Sequence, residues 1–232
     1  MAQLRRNDQH PGSLGDALSH GTRPGGGTPP PGAVVDTPRG PARIDVDVPD
    51  GAPRCLLVLG HGAGGDVDAP DLVAVRDAVV PAGVAVVRVT QPYRVAGRRA
   101  PAPAGQLDEA WSAVVTGLRD RWTGVPLVLG GRSSGARVAC RTAVALGAAG
   151  VVAMAFPSHP PGKPEKSRDA ELLTGVPTLV VNGDRDPFGI PAASEGVEVR
   201  VVPGDHSLKR DPGAVATLVL EWLGVRGLAI CG

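Results

Sequence analysis

The chain predicts an α/β fold: a doubly wound, mostly parallel β-sheet flanked by helices. Two observations carry this. Six short, continuous apolar runs alternate with helix-period segments or helix-length linkers, the pattern of strands covered on both faces. Every chemistry-bearing motif also falls directly after one of those runs, where such sheets place their ligand crevice. With 232 residues, 42% hydrophobic and 20% charged, the chain is long enough for one sizeable core, so one domain over residues 33–232 is expected. Residues 1–32, with Gly25-Gly26-Gly27 and Pro29-Pro30-Pro31 and few large apolar side chains, read as a disordered Gly/Pro-rich extension.

In chain order, Ala42–Val48 alternates with Ile44, Val46 and Val48 on one face, which predicts a half-buried edge strand ended by the Asp50-Gly51 turn. Cys55–Gly60 is the first fully apolar run and opens into His61-Gly62-Ala63-Gly64-Gly65. Leu72, Val75, Val79 and Val80 give Pro70–Val80 a helical period, and Val84–Val89 is the next buried-type strand. After it comes a Pro- and Gly-rich loop holding Tyr93, Arg94, Arg98 and Arg99. From Gln106 to Trp122 apolar residues recur at helical spacing, which assigns both Trp111 and Trp122 to the core. Pro126–Leu146 then reads as strand, tight turn and helix. The remaining strands are Gly150–Phe156, Pro177–Val181 and Val197–Val202, and Gly213–Leu223 is the closing helix. The linker after Phe156 is too short for a lid domain.

Within the turn, Gly131, Ser133 and Gly135 satisfy G-x-S-x-G, whose small flanking residues allow a sharp strand-to-helix turn that exposes the serine. A serine hydroxyl is a weak nucleophile, so it needs a base, an orienting acid and donors for the developing oxyanion. Downstream, Asp186 and then His206 follow successive strands. The Gly-rich loop after Gly60 is a candidate source of backbone N–H donors, with Ala63 and Ser134 supplying them. Asp184, two residues from Asp186, is assigned to closing its turn. His61 is assigned to bracing its loop. Arg94 and His159 are candidate substrate-binding residues, although a solvated basic loop and a packing histidine are the simpler readings of them. Cys140 reads as a small buried apolar residue.

The order Ser133, Asp186, His206 on strand-end loops resembles the α/β-hydrolase fold family, over roughly residues 42–228. The segments GHGAGG, GGRSSGARVA, FPSHPPGKPEK, NGDRDPFG and GDHSLK are similar to its dienelactone-hydrolase-related branch, nearest to small bacterial hydrolases akin to testis-expressed protein thirty. That resemblance implies a minimal α/β-hydrolase fold without a lid. It also implies a serine hydrolase that cleaves a carboxylic ester or thioester through an acyl-enzyme, with Ser133, Asp186 and His206 as triad. The family's prototype has a cysteine nucleophile where this chain has Ser133, so dienelactone chemistry does not carry over. Two alternatives stay open: a catalytically silent interaction protein on the same fold, and a peptidase using the same triad.

A formal net charge of +1 gives no reason to expect a nucleic-acid partner. No segment approaches the roughly 18 apolar residues of a membrane span, so no membrane partner is expected. Cys55, Cys140 and Cys231 form no metal-binding or disulfide pattern, which favours the cytoplasm and no metal or organic cofactor. The expected partner is a small-molecule ester or thioester; oligomeric state is not readable.

Overall fold

The computed structural model describes Pro30 and residues 32–230; the N-terminal extension read from sequence lies almost wholly outside them. The elements are β1 (Ala33–Val35), β2 (Ala42–Asp47), β3 (Cys55–Gly60), α1 (Pro70–Val79), β4 (Val84–Thr90), the one-turn α2 (Pro92–Val95), α3 (Ala104–Arg121), β5 (Leu127–Arg132) and α4 (Ser134–Thr142). Then follow β6 (Gly150–Met154), a 3-10 turn (Asp169–Leu172), β7 (Thr178–Gly183), β8 (Val197–Val202) and α5 (Pro212–Val225). They form one eight-stranded sheet in the order β1-β2-β4-β3-β5-β6-β7-β8. Pairings from β4 to β8 are parallel, and β1 and β2 are antiparallel.

The continuous apolar runs divide by strand parity into two cores. Leu56 and Val58 of β3, Val87 of β4, Leu129 of β5 and Val180 of β7 face α3 and α4, around the fully buried Trp111 and Phe156. Their neighbours Leu57, Leu59, Val86, Val128 and Val181 face α1 and α5, where Leu72, Val75, Val215, Val219 and Trp222 meet them. Side chains alternate across a strand, so a strand with helices on both faces is apolar at successive positions except where a polar side chain finds a partner, as Asn182 does at the end of β7.

Two sequence expectations are corrected and a third is refined. The strand over Ala42–Asp47 is not at the edge: β1 pairs along it in the register Ala33↔Ile44. Three residues after a proline run are too few to show a period. Trp122 caps the end of α3 and packs against the core only partly buried, with Arg121 over its ring, while Trp222 is buried in the opposite core. The strand begun at Gly150 stops at Met154, because Ala155 turns to φ 46° and Asn182 takes both the N–H and the carbonyl of Phe156.

β3 sits where the chain reverses its direction of travel across the sheet, with β4 on one side and β5 on the other. The crevice at this switch point lies between the loops after β3 and β5. Those loops carry the glycine-rich segment and Ser133.

Candidate active site

The turn from β5 to α4 forms because two glycines let it close onto β3. Gly131 has φ 152°, and a Cβ there or at Gly135 would fall inside the Gly60 backbone. The helix therefore starts directly over the end of β3, and the strain of the turn falls on Ser133, at φ 52° and ψ −111°. That φ is unfavourable for a residue with a Cβ. Among the described residues the other two non-glycine positions with positive φ, Ala155 and Leu208, also follow strands at this end of the sheet.

Ser133 Oγ lies 2.9 Å from His206 Nε2, and His206 Nδ1 lies 2.8 Å from Asp186 Oδ2. The carboxylate faces Nδ1, so Nδ1 carries the proton and Nε2 is free to accept the serine O–H. The Asp186 side chain has no exposed surface. Its Oδ1 accepts the Phe188 N–H at 2.9 Å, and the Asn182 amide donates to its Oδ2 at 3.3 Å. Asn182, fully buried, also donates to the Gly189 carbonyl at 3.1 Å, and so ties the acid loop to the end of β6. The Phe188 ring packs edge-on to the imidazole with centroids 4.3 Å apart. Asp184 is turned away, accepting the Gly204 N–H at 2.7 Å, and Asp205 is engaged with Ser207. Of the three nearby carboxylates, only Asp186 meets the imidazole.

The loop after β3 is held by its carbonyls. The His61 Nδ1–H donates to the Gly62 carbonyl at 2.8 Å, the Tyr93 hydroxyl to that of Ala63 at 2.7 Å, and Arg94 Nε to that of Gly65 at 2.9 Å. In a trans peptide the N–H points opposite to the C=O. Anchoring the Gly62 carbonyl on one side therefore aims the Ala63 N–H to the other. Gly62 lies against Ser133, and a Cβ on it would come 3.7 Å from the serine Cβ. Ser134 opens α4, where helix geometry leaves the N–H without an intrahelical acceptor.

Arg94, a candidate for substrate binding, braces the loop as well, since a second nitrogen donates to the Arg98 carbonyl. His159 bonds the Pro160 carbonyl through Nδ1, its N–H donates to the Phe188 carbonyl, and its ring lies against Gly189. It backs the acid loop. Neither Tyr93 nor Asn182 is legible in these roles from sequence, because the Ala63 carbonyl and the Phe156 backbone that they hold are distant in the chain. Nor did it show how Glu171 of the 3-10 turn pairs with Arg137 and Arg141, or Arg141 with Asp108 of α3, so that the linker is pinned over α4. A shallow recess beside Ser134 is lined by Gly60, His61, Leu107, Trp111 and Val138. A second recess shares Gln91, Tyr93 and Leu107 with it.

His61 is a neutral brace. Its Nε2 accepts the Gln91 N–H at 3.1 Å, which requires that nitrogen unprotonated. Burial first, and the Arg94 charge with it, hold the imidazole below the ordinary histidine value of 6.5. An unfolded chain takes up a proton near pH 6.5 that the folded chain refuses, so stability is retained above that pH and falls as pH drops through it. The urea midpoint is expected to fall between pH 7.5 and 5.5, and to fall less in His61→Gln. An equal fall in both proteins contradicts the assignment.

Among the described residues no group of acidic, histidine or cysteine side chains is arranged to hold a metal, and no helix is long and apolar enough to cross a membrane. Cys55 and Cys140 are buried free thiols, each pushed up to about 12 by burial, which makes them unreactive.

A doubly wound sheet with a serine elbow at its switch point defines a hydrolase, and comparison with known proteins agrees. The sequence profile described as "Alpha/beta hydrolase domain" matches residues 53–218, and the chain belongs to that family. No curated protein sequence matches it. Among solved structures, an α/β serine hydrolase without a lid from Xanthomonas campestris superposes with a TM-score of 0.66 at 22% identity, over 86% of this chain and 94% of the other. A dienelactone hydrolase from Anabaena variabilis gives 0.65 at 19% identity, over 83% and 95%. The esterase domain of a Rhodothermus marinus protein gives 0.61 at 15%, over 82% and 95%. These likenesses are of fold. The finer resemblance to testis-expressed protein thirty rests on the sequence motifs alone.

Proposed function

We propose that this hydrolase cleaves a carboxylic ester or thioester through an acyl-enzyme on Ser133. The observation that carries the proposal is the unbroken relay from Ser133 Oγ to His206 to Asp186, at 2.9 and 2.8 Å. His206 Nε2 takes the serine proton as Oγ attacks the acyl carbon. The carbonyl oxygen gains negative charge and is met by the N–H groups of Ala63 and Ser134. The imidazolium, stabilised by Asp186, returns the proton to the departing alcohol or thiol. Water then repeats the sequence on the acyl-serine, and releases the acid and the free enzyme. The recess beside Ser134 is apolar and small, which suits a short acyl group, and the short linker after β6 leaves the rest of the substrate in solvent. Unpaired Cys55 and Cys140 favour work in the reducing cytoplasm.

The test is labelling of the purified protein with a fluorophosphonate, located by mass spectrometry. An adduct on Ser133 that disappears in Ser133→Ala is the expected result. Folded protein that takes no label refutes an activated serine and favours the catalytically silent interaction protein.

A further inference from the structure

Arg132 stands in the elbow between Gly131 and the serine, and the mechanism above makes no use of it. Its side chain is 15% exposed and points back into the protein. Nε donates to Oδ2 of Asp71, at the start of α1, over 3.0 Å, and the Asp71 side chain has no exposed surface at all. A second nitrogen donates to the backbone carbonyl of His206 over 2.9 Å. The third, Nη1, lies against the glycine-rich loop, where a Cβ on Gly62 would come within 3.3 Å of it. One guanidinium thus touches the start of α1, the histidine loop and the oxyanion loop. It is itself rooted in the peptide next to the nucleophile.

We propose that Arg132, held by Asp71, is a positioning residue that sets the height of the His206 loop over Ser133. The inference rests on the hydrolase reading and names a device within the same site. Beyond His206 the loop is pinned by the buried Leu208, at a strained φ of 53°, and Asp205 accepts from Ser207, but Asp205 and Lys209 are exposed and the Arg132 bond holds the His206 carbonyl itself. Asp186 orients the ring through Nδ1, but a ring can swing about that bond while its backbone slides. The bond from Arg132 to the His206 carbonyl fixes the backbone, so the two anchors together place Nε2. Planarity is what allows the task, because a guanidinium presents donors in several directions from a rigid fork whereas an ammonium is a single point. Asp71 supplies the opposite charge. Without it a buried cation would stand beside the imidazole that must itself become positive.

Two variants separate positioning from support of the fold. Arg132→Lys keeps the charge next to Asp71 but cannot reach both acceptors. The double variant Asp71→Asn with Arg132→Met removes both charges, so no unpaired ion is left buried. Folding of each is checked by circular dichroism and thermal melting, and kinetics are measured on a short p-nitrophenyl ester well below the melting temperature. Both folded variants are expected to lose kcat by about 10- to 100-fold, the scale of an ångström's misplacement of a reacting group. KM should change by less than about twofold, since neither residue lines the recess beside Ser134, and the fluorophosphonate labelling rate should fall in step with kcat. A purely supporting role would lower the melting temperature and leave kcat of the folded protein intact. Wild-type kcat in either folded variant overturns the proposal. If wild-type protein takes no label on Ser133, the hydrolase reading fails and the clamp falls with it; if it labels and a folded variant labels equally fast, only the clamp fails.

Discussion

Removal of the Ser133 hydroxyl is expected to reduce ester turnover by a factor on the order of 10⁶, and removal of the His206 imidazole by about as much. The Ser133→Ala and His206→Ala double variant should be no slower than either alone. The relay explains why. In the proposed mechanism Oγ becomes nucleophilic only as Nε2 takes its proton over 2.9 Å, so neither group retains its part once the other is gone. What survives is whatever the N–H groups of Ala63 and Ser134 contribute to a water-driven reaction. Steady-state hydrolysis of p-nitrophenyl acetate, with the labelled fraction as a count of active sites, measures this. Losses that multiply in the double variant would show that the two residues act separately, and would contradict the mechanism.

The second large effect concerns the acid. Asp186→Asn is expected to lower kcat by about 10⁴-fold, whereas Asp184→Asn should change it by less than about threefold. Three donors converge on the Asp186 carboxylate: the Phe188 N–H on Oδ1, and the Asn182 amide and His206 Nδ1–H on Oδ2. An amide in its place must turn an NH₂ group toward at least one of them. In one orientation it displaces the Nδ1 proton, and in either it removes the charge that stabilises the imidazolium. Asp184, half-exposed, accepts a single backbone N–H, a task an amide oxygen performs as well. kcat for the two variants, on protein shown to melt cooperatively, decides the matter. The opposite ranking would move the acid to Asp184.

Much of this was legible in the sequence because it depends on local pattern. A buried parallel strand must be continuously apolar, so β3 to β7 announce themselves, and chemistry placed after them is brought to one rim by topology alone. Ser133, Asp186 and His206 were readable for that reason, and the structure brings them together. The supporting residues were not readable. Asn182 looks like a turn residue in NGDRDP, yet its amide is the joint between the Phe156 backbone and the acid loop. Arg132 looks like the variable position of a motif, but its partners Asp71 and His206 lie on two other elements. Arg94 was readable as a rim residue, but its bond to the Gly65 carbonyl was not, because nothing local tells a guanidinium which backbone it will hold. Buried polar groups find their partners in the folded chain, and only the fold shows which.

The backbone at Ser133 points to a tension within the molecule. A serine held at φ 52° costs about 1–3 kcal/mol that a glycine in the same turn would not. That is a sizeable share of the 5–15 kcal/mol typical of a folded domain. Durability and reactivity therefore compete for the same residue. Selection for heat resistance alone would favour glycine at this position, and the protein would grow sturdier at the moment it lost its nucleophile. A side chain at so strained a point of the elbow is what the proposed activity requires and what stability alone would not choose.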